Sequence, residues 1–140
     1  MQELQSEVLI DGKFLTKNQQ SVISDPRTSL TYARMALELA VNWMYNNDHD
    51  LELPYDTSLN SLMKNSDFKD QFPFKLYREI DLIRKVGNLA IHNKPVTEVD
   101  SGNVISNLYY FSKWFGRSYT NEDVVFLKDL HVMLNCLVMK

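Results

Sequence analysis

Two short stretches hold the side chains best able to do chemistry. In "IRKVGNLAIHN", Arg84, Asn88 and His92 follow one another at intervals of four residues. Upstream, Arg34 and Glu38 stand four apart among apolar residues. A guanidinium can stabilise charge on a phosphoryl group, an imidazole can carry a proton, and a carboxamide can orient a phosphate. The competing reading is a polar helix face turned to water. Two features argue for something more specific. The later face carries few of the long Glu/Lys pairs of solvated helices and ends in short, directional Asn and His. Arg34 and Glu38 need partners, because an unpaired charge in an apolar setting is costly. The sequence therefore predicts one polar cluster between two helices: Arg34, Glu38, Arg84, Asn88 and His92. It is either a structural network or a catalytic set.

The elements that must position these residues are legible as helices. Asp25 is a good N-cap, and Pro26 suits the first helical position. The helix they open should run to about Asn46. Its apolar residues, from Ala33 and Met35 through Leu39 to Trp43, spread almost all round, which predicts a central helix. A loop follows, then a shorter helix over about 57–65 with Leu59, Leu62 and Met63 inward. "SDFKDQFP" reads as a turn plugged by Phe68 and Phe72.

Pro73 opens a long helix. Its broad apolar side holds Leu76, Ile80, Leu82, Ile83, Val86, Leu89 and Ala90, with Tyr77, Arg78, Asp81, Arg84, Lys85, Asn88 and His92 opposite. Gly87 falls on the apolar side. A mid-helix Gly costs about 1 kcal/mol relative to Ala, which predicts another helix crossing closely there. Pro95 ends the helix. The next one is capped by Thr97 or Asp100, buries Val104, Leu108, Phe111 and Phe115, and stops near Gly116. A last helix from about 120 would bury Phe126, Leu130, Met133 and Leu137. Its apolar end at Lys140 suggests a longer parent protein or packing against another chain. Residues 1–24 are weakly patterned, with at most a short helix interrupted at Gly12, and no segment reads as a strand. The expectation is a single all-α domain over 25–140, a bundle of four to five helices.

Bulk properties narrow the function. The chain has 140 residues, suited to one core. Its net charge of −3 advertises no nucleic-acid binder. The one cysteine, Cys136, lies in an apolar run and implies a reducing cytoplasm. There is no signal peptide and no run long enough to span a membrane. The three histidines, His49, His92 and His131, lack zinc-site spacing, so no metal or other cofactor is expected. "DGK" at 11–13 lacks the rest of a phosphate loop, and no nucleophile elbow is present. Tyr109, Tyr110, Trp114 and Phe115 could stack bases, but at helical spacing they read as core.

The residues also resemble a family. Asp25–Pro26, then Leu30, Arg34 and Glu38 as L-x-x-x-R-x-x-x-E, then Ile83–Arg84, Gly87–Asn88, Ala90 and His92 as "IR-x-x-GN-x-A-x-H", and finally Trp114–Phe115, look like a helical domain of unknown function. That domain stands at the N-terminus of R-subunit-like proteins of type I restriction systems, and the likeness covers roughly residues 14–119. It is similar in turn to the HEPN superfamily of helical bundles, many of which are dimeric RNases with an Arg followed after four to six residues by His. Here seven residues separate Arg84 from His92.

The resemblance implies an HEPN-like bundle and two alternative functions. One is a non-catalytic recognition or assembly module whose partners are other restriction subunits or downstream helicase and nuclease domains. Nucleic acid would then be met through the parent protein, and a homodimer is allowed. The other is a metal-independent RNase or toxin-like protein. In it His92 would be the acid/base, Arg84 the charge stabiliser and Asn88 the orienting group, with Glu38 positioning His92.

Overall fold

The computed structural model describes residues 8–10, 13–15 and 25–119 of the chain. Two three-residue strands, β1 (Val8–Ile10) and β2 (Lys13–Leu15), pair antiparallel with Val8 opposite Leu15 and Leu9 opposite Phe14. This segment therefore holds a small hairpin where the sequence reading allowed only a short helix. Five helices follow: α1 (Pro26–Asn47), α2 (Leu59–Lys64), α3 (Ser66–Lys69), α4 (Phe74–Ile91) and α5 (Glu98–Ser118). The helices carry the fold, and the all-α bundle expected from the periodicity is what residues 25–119 form. The predicted last helix lies outside the described residues.

Local chemistry explains most helix ends. Asp25 stands at the N-cap of α1 with Pro26 behind it, and the Asp25 carbonyl accepts from the Ser29 N–H at 2.9 Å. The Asp25 carboxylate does not cap the helix. It accepts from the Thr28 hydroxyl, which holds this exposed carboxyl below its ordinary range. α5 starts on a full capping box: Thr97 Oγ1 accepts from Asp100 N at 3.1 Å while Asp100 Oδ2 accepts from Thr97 N at 3.0 Å. Gly116 lies inside the last turn of α5 rather than beyond it. In "SDFKDQFP" the chain makes one helical turn, α3, because Asn65 accepts from Asp67 N at 3.0 Å.

α1, α4 and α5 pack pairwise around one core. Leu30, Leu37, Met44, Ile80, Ile83, Leu108, Phe111 and Phe115 are fully buried there. Phe68 and Phe72 plug it from beneath, as expected, with Phe72 lying 4.3 Å from the Trp114 ring. Two tyrosines satisfy carbonyls of α2: Tyr45 Oη donates to Leu62 O at 2.5 Å and Tyr77 Oη to Met63 O at 2.9 Å. Burial pushes both phenol pKa values up.

α5 buries Val104, Leu108, Phe111 and Phe115 as expected, whereas the buried surfaces of α1 and α4 are narrower than expected. α1 is not buried all round, for Met35 and Leu39 face out together with Tyr32. On α4, Leu82 and Leu89 are exposed and Arg84 is buried. The buried stripe of α4 runs through Leu76, Ile80, Ile83, Gly87 and Ala90, all on the side expected to be apolar.

Candidate functional site

Gly87 explains how α1 and α4 come together. A Cβ placed on Gly87 would lie 2.6 Å from Arg34 Cβ and 3.0 Å from its Cδ. The helices thus meet with the stem of Arg34 lying across the bare backbone of α4, the close crossing that the mid-helix glycine predicted. Having crossed, Arg34 turns its head along α4. Its Nε donates to Asn88 Oδ1 at 2.7 Å, and its Nη1 lies 3.4 Å from Glu38 Oε1. Gly87 and Asn88 act as a unit: one makes room for the arginine and the next receives it. The guanidinium is mostly shielded while Glu38 is open to water, so the tight neutral–charged bond to Asn88 is worth more than the longer ion pair.

Arg84 belongs to a second group. Its Nε donates to Asp81 Oδ1 at 3.0 Å and its Nη2 lies 2.9 Å from the same oxygen. Lys85 Nζ approaches Asp81 Oδ2 at 3.2 Å. Asp81 is thus shared by two cations of its own helix, and no hydrogen bond or ion pair among the described residues joins this group to Arg34, Glu38 or Asn88. The sequence reading had placed Arg84 with the partners on α1; the i−3 carboxylate on its own helix satisfies it instead.

His92 is the C-cap of α4 and is exposed. Among the described residues its imidazole makes no hydrogen bond to Glu38, Arg84 or Asn88. The end of α4 is a Schellman motif: Lys94 N donates to Leu89 O at 2.8 Å and Asn93 N to Ala90 O at 3.3 Å. Asn93 supplies the left-handed residue, with φ of 60°. A residue the sequence reading passed over completes this end. Arg27 Nη1 donates to Ala90 O at 2.7 Å and Nη2 to Lys94 O at 2.7 Å. A cation from the first turn of α1 thus closes the carbonyl end of α4, where the helix dipole favours positive charge. No local spacing foretells a contact between residues 63 and 67 apart.

The predicted five-residue cluster therefore divides. Arg34, Glu38 and Asn88 come together, Arg84 pairs elsewhere, and His92 caps a helix in solvent. The aromatic expectation also divides: Phe115 and most of Trp114 are core, while Tyr109 and Tyr110 are exposed with rings 5.6 Å apart. A shallow groove of about 530 Å³ between α4 and α5 includes Phe74, Arg78, Asp81 and Asn107 but none of the five predicted residues. Among the described residues no group of three His, Cys, Asp or Glu is placed to hold a metal ion. Among them, too, no helix is long and apolar enough to cross a membrane.

Comparison with family models, with curated proteins and with solved structures gives no match. The likeness to restriction R-subunit domains rests on the quoted residues alone.

Proposed function

We propose that this chain is a non-catalytic recognition or assembly domain of the kind that opens type I restriction R-subunit-like proteins, working in the cytoplasm beside other restriction subunits or helicase and nuclease domains. One observation carries the non-catalytic half of this reading. Both guanidinium groups that an RNA-cleaving centre would turn toward a phosphate are committed within the fold, Arg34 to Asn88 and Glu38 and Arg84 to Asp81. His92 stands apart from both as an exposed helix cap. Stabilising a developing charge requires donors already aimed at the reacting atoms, and here the donors point at the protein's own oxygens. The restriction context is supported by the motif letters over residues 25–115 and by nothing in the geometry.

The test is direct. Labelled single-stranded RNA is incubated with the full chain in EDTA, beside His92→Ala and Arg84→Ala. The module reading expects no cleavage above a buffer control in any of the three. Cleavage by the wild type that His92→Ala abolishes would replace it with the metal-independent RNase. The restriction context has its own test in the reading frame that encodes the chain. Helicase motifs in the same or the adjoining frame are expected, and their absence would remove that context while leaving the non-catalytic reading intact.

A further inference from the structure

The shallow groove between α4 and α5 holds side chains that the fold itself leaves unused. Phe74 is 77% exposed in the first turn of α4, and Leu82 is 39% exposed about two turns later. Phe74, Arg78 and Leu82 stand at intervals of four residues, so they form one row about 12 Å long on one wall of the groove. Asn103 and Asn107 of α5 stand on the opposite wall, and Asn107 Nδ2 ties the walls together by donating to Glu79 O at 3.1 Å. The charges of the lining are unevenly committed. Asp81 is taken up by Arg84 and Lys85. Lys75 and Arg78 have no carboxylate partner among the described residues. Arg78 lies over the Phe74 ring, 5.7 Å from its centroid. A guanidinium stacked in this way keeps its in-plane N–H donors open to an anion. Lys75, Arg78 and Lys85 against Glu79 and Asp81 leave the lining one positive charge in a chain whose net charge is −3.

We propose that this groove is the docking site for an acidic amphipathic helix of a partner protein. A helix laid between α4 and α5 sets two apolar side chains about two turns apart, one on Phe74 and one on Leu82, which is the helix-in-groove mode of recognition. Its Asp and Glu residues flank that stripe and meet Lys75 and the open edge of the Arg78 guanidinium. The groove is shallow, which suits a segment laid along it better than an enclosed small molecule. Single-stranded nucleic acid is the competing occupant, because an exposed ring beside cations is a stacking platform. Two features of the lining disfavour it. Arg78 already covers one face of the Phe74 ring. Glu79 and Asp81 stand in the path of a backbone charged at every nucleotide, whereas a peptide places carboxylates only where cations await them. The inference rests on the recognition and assembly reading above and names its surface and its partner's chemistry.

Fluorescence anisotropy with the full chain tests it. The probe is a fluorescein-labelled helical peptide of about 15 residues, with Leu at i, i+7 spacing and Glu on the flanking positions. Binding with a Kd on the order of 10–100 µM is expected, as for small transient interfaces, and it should weaken as salt rises. The same peptide with Lys in place of Glu should not bind. Arg78→Glu and Lys75→Glu should each weaken binding at least about tenfold, and Phe74→Ala about fivefold. All three positions are exposed, and circular dichroism checks that helix content is unchanged. If a charge variant fails to fold, Arg78→Gln takes its place with the same direction of change. Absence of binding at about 1 mM chain, binding that the folded Arg78 and Lys75 variants leave unchanged, or tighter binding of oligodeoxythymidine than of the acidic peptide would each overturn the proposal. Such a failure, with RNA left uncleaved, strikes the groove and leaves the non-catalytic reading intact, whereas RNA cleavage strikes that reading whatever the peptide does.

Discussion

The middle and the end of α4 are both polar, both touch an arginine of α1, and do different work. In the middle, Arg34 passes over Gly87 and bonds the Asn88 side chain, so the contact is first a matter of shape. At the end, Arg27 bonds the Ala90 carbonyl of the last turn and the Lys94 carbonyl just beyond the helix, so the contact is first a matter of backbone acceptors at a helix terminus. The difference teaches that a charged residue at a helix crossing can specify distance in one place and termination in another. Substitutions should separate the two.

The largest effect is expected at Gly87. Gly87→Val should destabilise by about 3 kcal/mol, the upper part of the range for overpacking, and Gly87→Ala by less, because Ala regains about 1 kcal/mol of helix propensity. The clash is with Arg34 Cβ, so adding Arg34→Ala, which keeps that atom, should not rescue either variant. Rescue in urea titrations would move the cause to the guanidinium end and erase the distinction drawn here. Arg27→Ala comes next, at about 1–3 kcal/mol for two charge-assisted bonds, one of them exposed. Its signature is local: faster hydrogen exchange at the Asn93 and Lys94 amides, with the amides around Gly87 unchanged.

Smaller effects sharpen the account of the helix end. Asn93→Ala should cost on the order of 1 kcal/mol because Ala lacks the short polar side chain that lets Asn tolerate the left-handed conformation, whereas Asn93→Gly, which has no Cβ to penalise, should leave the melting temperature unchanged or raise it. The smallest is His92→Ala. An exposed cap with no side-chain bond among the described residues should shift stability by less than about 0.5 kcal/mol. A marked fall in melting temperature would show that the imidazole has a partner after all.

The helices were legible where local rules act alone. Asp25–Pro26 and Thr97–Asp100 announced two starts, and Gly87 announced a close crossing before its partner was known. The hairpin was announced too, since Asp-Gly between "VLI" and "KFL" is a two-residue turn signal, though it was weighed only as a fragment of a phosphate loop. What the sequence hid was the width of the buried surfaces and the pairing. Leu82 and Arg84 differ by 200° on a wheel, and periodicity could not say which of them α1 would cover. Arg84 had a carboxylate three residues back, a local partner that a search for inter-helix pairs passed over. Arg27 reaches across more than sixty residues, and no spacing records that.

The central claim is that Arg34 and Asn88 lock α1 onto α4 across Gly87, and a double-mutant cycle tests it most directly. Urea unfolding of the wild type, Arg34→Ala, Asn88→Ala and the double variant should show a coupling of about 1 kcal/mol, the double variant being less destabilised than the sum of the singles. Additivity within about 0.3 kcal/mol would contradict the lock and reduce the polar joint to two neighbours that do not depend on one another.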